Sequence, residues 1–103
     1  MADFVSCAKL ADLAPGSCRT VQAAGRDVAL FNVSGEIFCL DNACLHRGGP
    51  LGEGELQGDI VTCPWHHWQY NVRTGQNLFD PAVKVARYAV EVEGGEIKVA
   101  VTS

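Results

Sequence analysis

Polar and apolar residues alternate most regularly toward the end of the chain. Val90 and Val92 are interleaved with Glu91 and Glu93, and Ile97, Val99 and Val101 with Lys98 and Ala100. A period of two places one set of side chains on a single face of a strand, and Gly94-Gly95 supplies the residues a tight turn needs, so a β-hairpin is predicted here. Earlier in the chain, Cys18 to Ala23 and Val28 to Val33 read as strands separated by Gly25-Arg26-Asp27, and Ser34-Gly35 turns the chain into Ile37 to Leu40. These form a meander. Asp59 to Thr62 and Gln69 to Val72 are two further short strands, the second followed by a turn at Thr74-Gly75. No segment sustains an apolar period of 3.6. Ala8 to Ala14 is the best helical candidate, and Pro15-Gly16 cuts it short. The fold class is therefore all-β.

Composition narrows the picture. A chain of 103 residues, 48% hydrophobic and 19% charged, suits one ordinary globular domain over 1–103. Its apolar runs, such as Val28 to Phe31, are too short to span a bilayer, and the start lacks the basic and apolar regions of an export signal, so a cytoplasmic location is expected. Twelve acidic residues against eight basic ones give a net charge of −4 with the bases scattered, which argues against nucleic acid as a partner. The acidic balance suits partners with basic docking faces, although solubility alone accounts for it equally well.

The residues that carry chemistry are Cys44, His46, Cys63 and His66. They form Cys-x-His, sixteen intervening residues, then Cys-x-x-His. Thiolates and imidazoles suit either an iron-sulfur cluster or a tetrahedral zinc ion. Zinc fingers usually pair two cysteines in one half and two histidines in the other, whereas here each half supplies one of each. That arrangement favours a [2Fe-2S] cluster held by two Cys and two His. Replacing two thiolates by neutral imidazoles removes negative charge and raises the reduction potential. Two ferric ions, two sulfides, two thiolates and two neutral imidazoles sum to zero, and to minus one after one electron is accepted. An electron carrier follows from this bookkeeping.

The segments Cys44-Leu45-His46-Arg47-Gly48-Gly49-Pro50-Leu51 and Cys63-Pro64-Trp65-His66-His67-Trp68-Gln69-Tyr70 resemble the two cluster-binding loops of the Rieske iron-sulfur proteins. The resemblance extends over almost the whole chain. It implies stacked antiparallel sheets with a cluster-binding part, roughly 41–82, at one tip. It also implies that Cys44 and Cys63 bind the inner iron, and His46 and His66 the outer one, where their remaining ring nitrogens form an electron port. The respiratory branch of the family carries a disulfide at positions matching Gly49 and Trp65, so this chain resembles the branch without it, which includes the soluble ferredoxins of oxygenase systems.

That branch implies a monomeric carrier between a flavin-containing NAD(P)H reductase and a terminal oxygenase that hydroxylates aromatic rings. A small subunit of an NAD(P)H-dependent nitrite reductase is the alternative. The chain itself is not expected to be an enzyme. Once the cluster takes two of the three histidines only His67 remains, too few for a mononuclear iron site, and no nucleotide-binding or nucleophile-elbow motif is present.

Several neighbours of the ligands acquire expected roles. The positions of a serine and a tyrosine that donate to cluster sulfur in high-potential members hold Trp68 and Tyr70, which points to the lower part of the range of roughly −150 to +300 mV. Tyr70 would donate to the sulfur of Cys44. His67 is read as a turn or solvent-facing residue, with docking or proton uptake as the other possibility. Pro64 and Trp65 would shield the inner iron. Pro81 matches a third, proline-containing loop over the cluster or else an ordinary turn. The glycines from Gly48 to Gly54 would let backbone amides approach sulfur. Because imidazole on ferric iron loses its second proton more readily, reduction should couple to a proton at alkaline pH. Cys7, Cys18 and Cys39 read as small core residues rather than disulfide partners. Asn32-Val33-Ser34 matches a glycosylation sequon but falls on a predicted strand, and is discounted.

Overall fold

The computed structural model describes residues 4–43, 49–65 and 67–100. Nine strands appear among them: β1 (Phe4–Lys9), β2 (Cys18–Ala23), β3 (Arg26–Val33), β4 (Glu36–Asp41), β5 (Glu55–Gln57), β6 (Ile60–Thr62), β7 (Gln69–Asn71), β8 (Arg87–Glu93) and β9 (Glu96–Ala100). Every pairing is antiparallel, as the alternation required. Six strands join in the order β1-β9-β8-β4-β3-β2, and a second sheet of three runs β5-β6-β7. The predicted terminal hairpin is present, with Val90 opposite Val99 and Val92 opposite Ile97.

β3 is apolar over consecutive residues because both of its faces are buried. Val28 and Leu30 enter one core with Leu13, Cys39, Tyr88, Ile97 and Val99. Ala29, Phe31 and Val33 enter the other with Leu40, Leu51, Val61, Cys63, Tyr70 and Val72. The second core lies under the small sheet, so β3 and β4 form the wall on which that sheet is mounted. Arg73 ties the two at the surface, within 3.6 Å of Glu36 and 3.5 Å of Asp59, with its guanidinium 5.0 Å from the Phe38 ring centre. Both ion pairs are exposed, and their worth is correspondingly small.

Two expectations are corrected. Ala8 to Ala14 is not a helix: β1 continues through Lys9 and only a single 3-10 turn, Leu10–Asp12, follows. Asn32 explains why the turn goes no further, because its Nδ2 donates to the Leu13 carbonyl at 2.7 Å and draws that residue into the core. Arg26 and Asp27 belong to β3 rather than to the turn, pairing with Ala23 and Gln22. The turn is the two-residue Ala24-Gly25, with φ of 53° and 79°, the double positive-φ geometry that matches strand twist.

Asn32 is also 3% exposed, with its Oδ1 accepting from the Gly35 amide at 2.7 Å. A side chain engaged at both ends inside the protein is no glycan acceptor, in keeping with the discounted sequon.

Candidate metal centre

β6 and β7 pair through Thr62 opposite Gln69, and the residues between them form a closed loop. Its neck is the Cys63 N–H, which donates to the Trp68 carbonyl at 2.7 Å. Cys63 is fully buried, while Pro64 and His67 on the same loop are exposed. The Trp65 backbone N–H donates to Cys63 Sγ at 3.4 Å, an arrangement that favours a negatively charged sulfur. His67 has a φ of 61°, left-handed backbone that reverses the chain into β7. It is the turn residue anticipated.

Asn42 builds the approach to the other loop. Its Oδ1 accepts from the Gly52 amide at 2.8 Å and from the Thr20 hydroxyl at 3.1 Å, and its carbonyl accepts from the Leu51 amide at 2.8 Å. Ala43 then bridges to Pro50, so the chain on either side of segment 44–48 is drawn together. Gly49 follows that segment and reaches the second loop: a side-chain carbon placed on it would stand 2.7 Å from Cys63 Sγ.

Cys63 alone of the four expected ligands is placed; Cys44, His46 and His66 lie outside the described residues. What surrounds Cys63 suits an iron-sulfur group. Its sulfur is dry, faces a backbone amide, and packs so closely on Gly49 that no side chain fits there. Among the described glycines of this stretch, Gly49 is the one that lies against a cysteine sulfur. Gly52 packs against the backbone of Arg19 and Thr20, and Gly54 against the Thr62 carbonyl, so those two glycines permit close chain packing rather than contact with sulfur.

Tyr70 is fully buried on β7 opposite Val61, and Trp68 packs at the margin of the same core. The expected acceptor for Tyr70, Cys44, is outside the described residues. Pro81 lies in an exposed turn hung on β7, where the Leu78 amide donates to the Gln69 carbonyl at 3.0 Å. Asn77 shapes that turn. Its Oδ1 accepts from the Phe79 amide at 2.8 Å and the Asp80 amide at 3.1 Å, and Phe79 is left 78% exposed. A cleft of about 240 Å³ opens beside Cys63, bordered by Glu53, Glu55, Thr62, Pro64 and His67.

Sequence reasoning missed Asn42 and Asn77. The signal available was weak: an Asx residue before a turn. The remaining cysteines behave as expected. Cys39 is fully buried, and burial, with smaller contributions from Cys7 and Asp41, pushes its thiol well above the ordinary range. Burial also raises Cys7 and Cys18, whose sulfurs approach the carbonyls of Ile97 at 3.6 Å and Gly54 at 3.3 Å.

Comparison with known proteins identifies the family. Residues 3–98 match the model of the Rieske [2Fe-2S] domain. The chain is 34% identical over 92 residues to the ferredoxin component of the naphthalene 1,2-dioxygenase/salicylate 5-hydroxylase systems of a Ralstonia species, covering 88% of each chain. Among solved structures it is similar to the ferredoxin of carbazole 1,9a-dioxygenase from Nocardioides aromaticivorans, with a TM-score of 0.89 and 28% identity over 98% of this chain and 100% of that one. It is also similar to a chain in the complex of reduced oxygenase and oxidized ferredoxin of carbazole 1,9a-dioxygenase, with a TM-score of 0.85 and 32% identity over 94% and 92%. The structural zinc site gives way to the iron-sulfur reading, and the chain belongs to the Rieske [2Fe-2S] family.

Proposed function

We propose that this chain is the ferredoxin component of an aromatic-ring dioxygenase system, a cytoplasmic one-electron carrier between a flavoprotein NAD(P)H reductase and a terminal Rieske oxygenase. The observation that carries the reading is the convergence on Cys63: a buried sulfur with an amide donor, met by Gly49 of the other loop. The comparisons support the same role, since the relatives reported above are named as ferredoxin components and one solved relative is a ferredoxin–oxygenase complex. Nothing favours the nitrite reductase subunit over it.

In this reading Cys44, His46, Cys63 and His66 hold the cluster. Bound there, the cluster supplies a one-electron couple. The protein's own part is positional. Cys63 presents its sulfur at the closed neck of one loop, and Asn42 pins the start of the other. Leu51 is fully buried in the same core as Cys63. The Trp65 amide lowers the cost of added negative charge on sulfur, because a fixed dipole needs no reorganisation when the charge arrives.

Reconstitution tests the function. The purified holoprotein, mixed with a flavin reductase, NADH and a terminal oxygenase of the naphthalene or carbazole class, should make hydroxylated product depend on its concentration. Product formation at the same rate without the chain would contradict a carrier role.

A further inference from the structure

Each cluster loop is closed on itself, the first by the Ala43–Pro50 bridge and the second by the Cys63–Trp68 hydrogen bond. A separate contact joins the two loops. A side-chain carbon on Gly49 would stand 3.0 Å from Trp65 Cγ and 3.1 Å from Trp65 Cβ, besides its 2.7 Å approach to Cys63 Sγ. All three are tighter than ordinary van der Waals contact, so no side chain fits on Gly49 and the root of the indole lies against its bare backbone. Gly49 is buried, yet Trp65 is 49% exposed: one part of the ring covers the junction and the rest meets water. The same residue donates its backbone N–H to Cys63 Sγ at 3.4 Å. Trp65 therefore touches the opposite loop with its side chain and the sulfur with its amide.

We propose that Trp65 is a clasp between the two cluster loops: its indole, seated on Gly49, holds the loops together and keeps water from Cys63 Sγ, which makes it a positioning residue for cluster lifetime and potential. The inference rests on Cys63 being a cluster ligand. Gly49 is the necessary other half, since any side chain there would collide with both the indole and the sulfur. The sign of the effect on potential follows from solvent. Water admitted to the sulfur stabilises the extra negative charge of the reduced state, so opening the clasp raises the potential. The amide donor opposes this only if it moves, and it sits in the backbone two residues from the hydrogen-bonded neck.

Four holoproteins test the clasp: wild type, Trp65→Ala, Trp65→Phe and Gly49→Ala. Visible absorbance in excess EDTA gives the rate of cluster loss, redox titration gives the potential, and circular dichroism gives the strand content. Trp65→Ala should bleach about tenfold faster than wild type, with a raised potential and unchanged strand content. Trp65→Phe should recover most of both properties, and Gly49→Ala should load poorly. Wild-type lifetime and potential in Trp65→Ala would overturn the clasp, as would full loading of Gly49→Ala at the wild-type potential. If Trp65→Ala loads too little to titrate, recovery of loading by Trp65→Phe supports the clasp and equal failure of both overturns it. A wild type with no iron-sulfide chromophore, or a Cys63→Ala variant that keeps it, would remove the carrier and ligand assignments beneath the clasp, and the clasp with them. A sound wild type with an indifferent Trp65 removes the clasp alone.

Discussion

Tyr70 shows how much one hydroxyl decides. It is fully buried in β7, one strand position from Gln69 at the exit of the second loop. If its hydroxyl donates to cluster sulfur as the family resemblance implies, Tyr70→Phe should lower the midpoint potential by about 20–60 mV, the equivalent of one hydrogen bond for a one-electron couple. An unchanged potential in a redox titration would dismiss that role. The thiols of Cys7, Cys18 and Cys39 give a second expectation. All three are raised by burial, so the folded protein keeps them protonated where the unfolded chain begins to lose those protons. Their contribution to stability is complete below the unfolded thiol pKa of about 8.5 and is lost as pH rises above it. Denaturant midpoints should therefore fall from pH 8 to pH 10, and less steeply in a variant with Cys39→Ala compared against its own pH 8 value. The turn role of His67 was legible in the sequence, because the Cys-x-x-His register passed over it. Asn42 and Asn77 were not, since an asparagine accepting two hydrogen bonds across a loop looks like any polar loop residue until its partners are in place.

Strands buried on one face were readable from alternation, and the hairpin from Arg87 to Ala100 is the clearest case. β1 and β5 escaped notice for different reasons. β5 is three residues long, Glu55 to Gln57, too short for a period to show. In β1, Val5 and Cys7 face inward while Phe4 and Ser6 face out, but the register shifts between Ser6 and Ala8. That irregularity breaks the alternation just where Leu10 and Leu13 suggest a helical spacing. Turns carry their own energy. Ala24 holds a φ of 53°, a conformation that costs a side-chain-bearing residue about 1–2 kcal/mol. Ala24→Gly should raise the thermal midpoint, by an amount worth about 1 kcal/mol after the added entropy of glycine is deducted. In the first loop, Asn42→Ala removes the acceptor for Gly52 and Thr20 and should cost about 1–3 kcal/mol in denaturant unfolding, together with reduced iron loading.

The protein as a carrier combines a rigid wall with a reactive end. β3 is buried on both faces from Val28 onward and, with Cys39 and Leu40 of β4, supports one core on each side, so the small sheet bearing the second loop is mounted on this wall. Loss of Phe31 in the wall, by Phe31→Ala, should cost about 3–5 kcal/mol and release the cluster on unfolding, which calorimetry and visible absorbance would follow together. If the partner of the proposed carrier docks through a basic face, the net charge of −4, with Glu53 and Glu55 beside Cys63, should make the encounter weaken as salt rises. The sequence conveyed the carrier role through ligand spacing. The resemblance already paired positions 49 and 65, which match a disulfide in the respiratory branch. It did not convey that the root of the Trp65 indole packs on the bare Gly49 backbone, because that packing depends on how the two loops meet in space.

The most direct measurement is pulsed paramagnetic resonance on the reduced holoprotein, with histidine nitrogens isotopically labelled, alongside iron and acid-labile sulfide analysis. Two histidine nitrogens coupled to the unpaired spin, two irons and two sulfides per chain, and loss of the signal in Cys44→Ala, His46→Ala, Cys63→Ala and His66→Ala are the expected results. A signal without histidine coupling, or a colourless protein that holds zinc and no sulfide, would contradict the account.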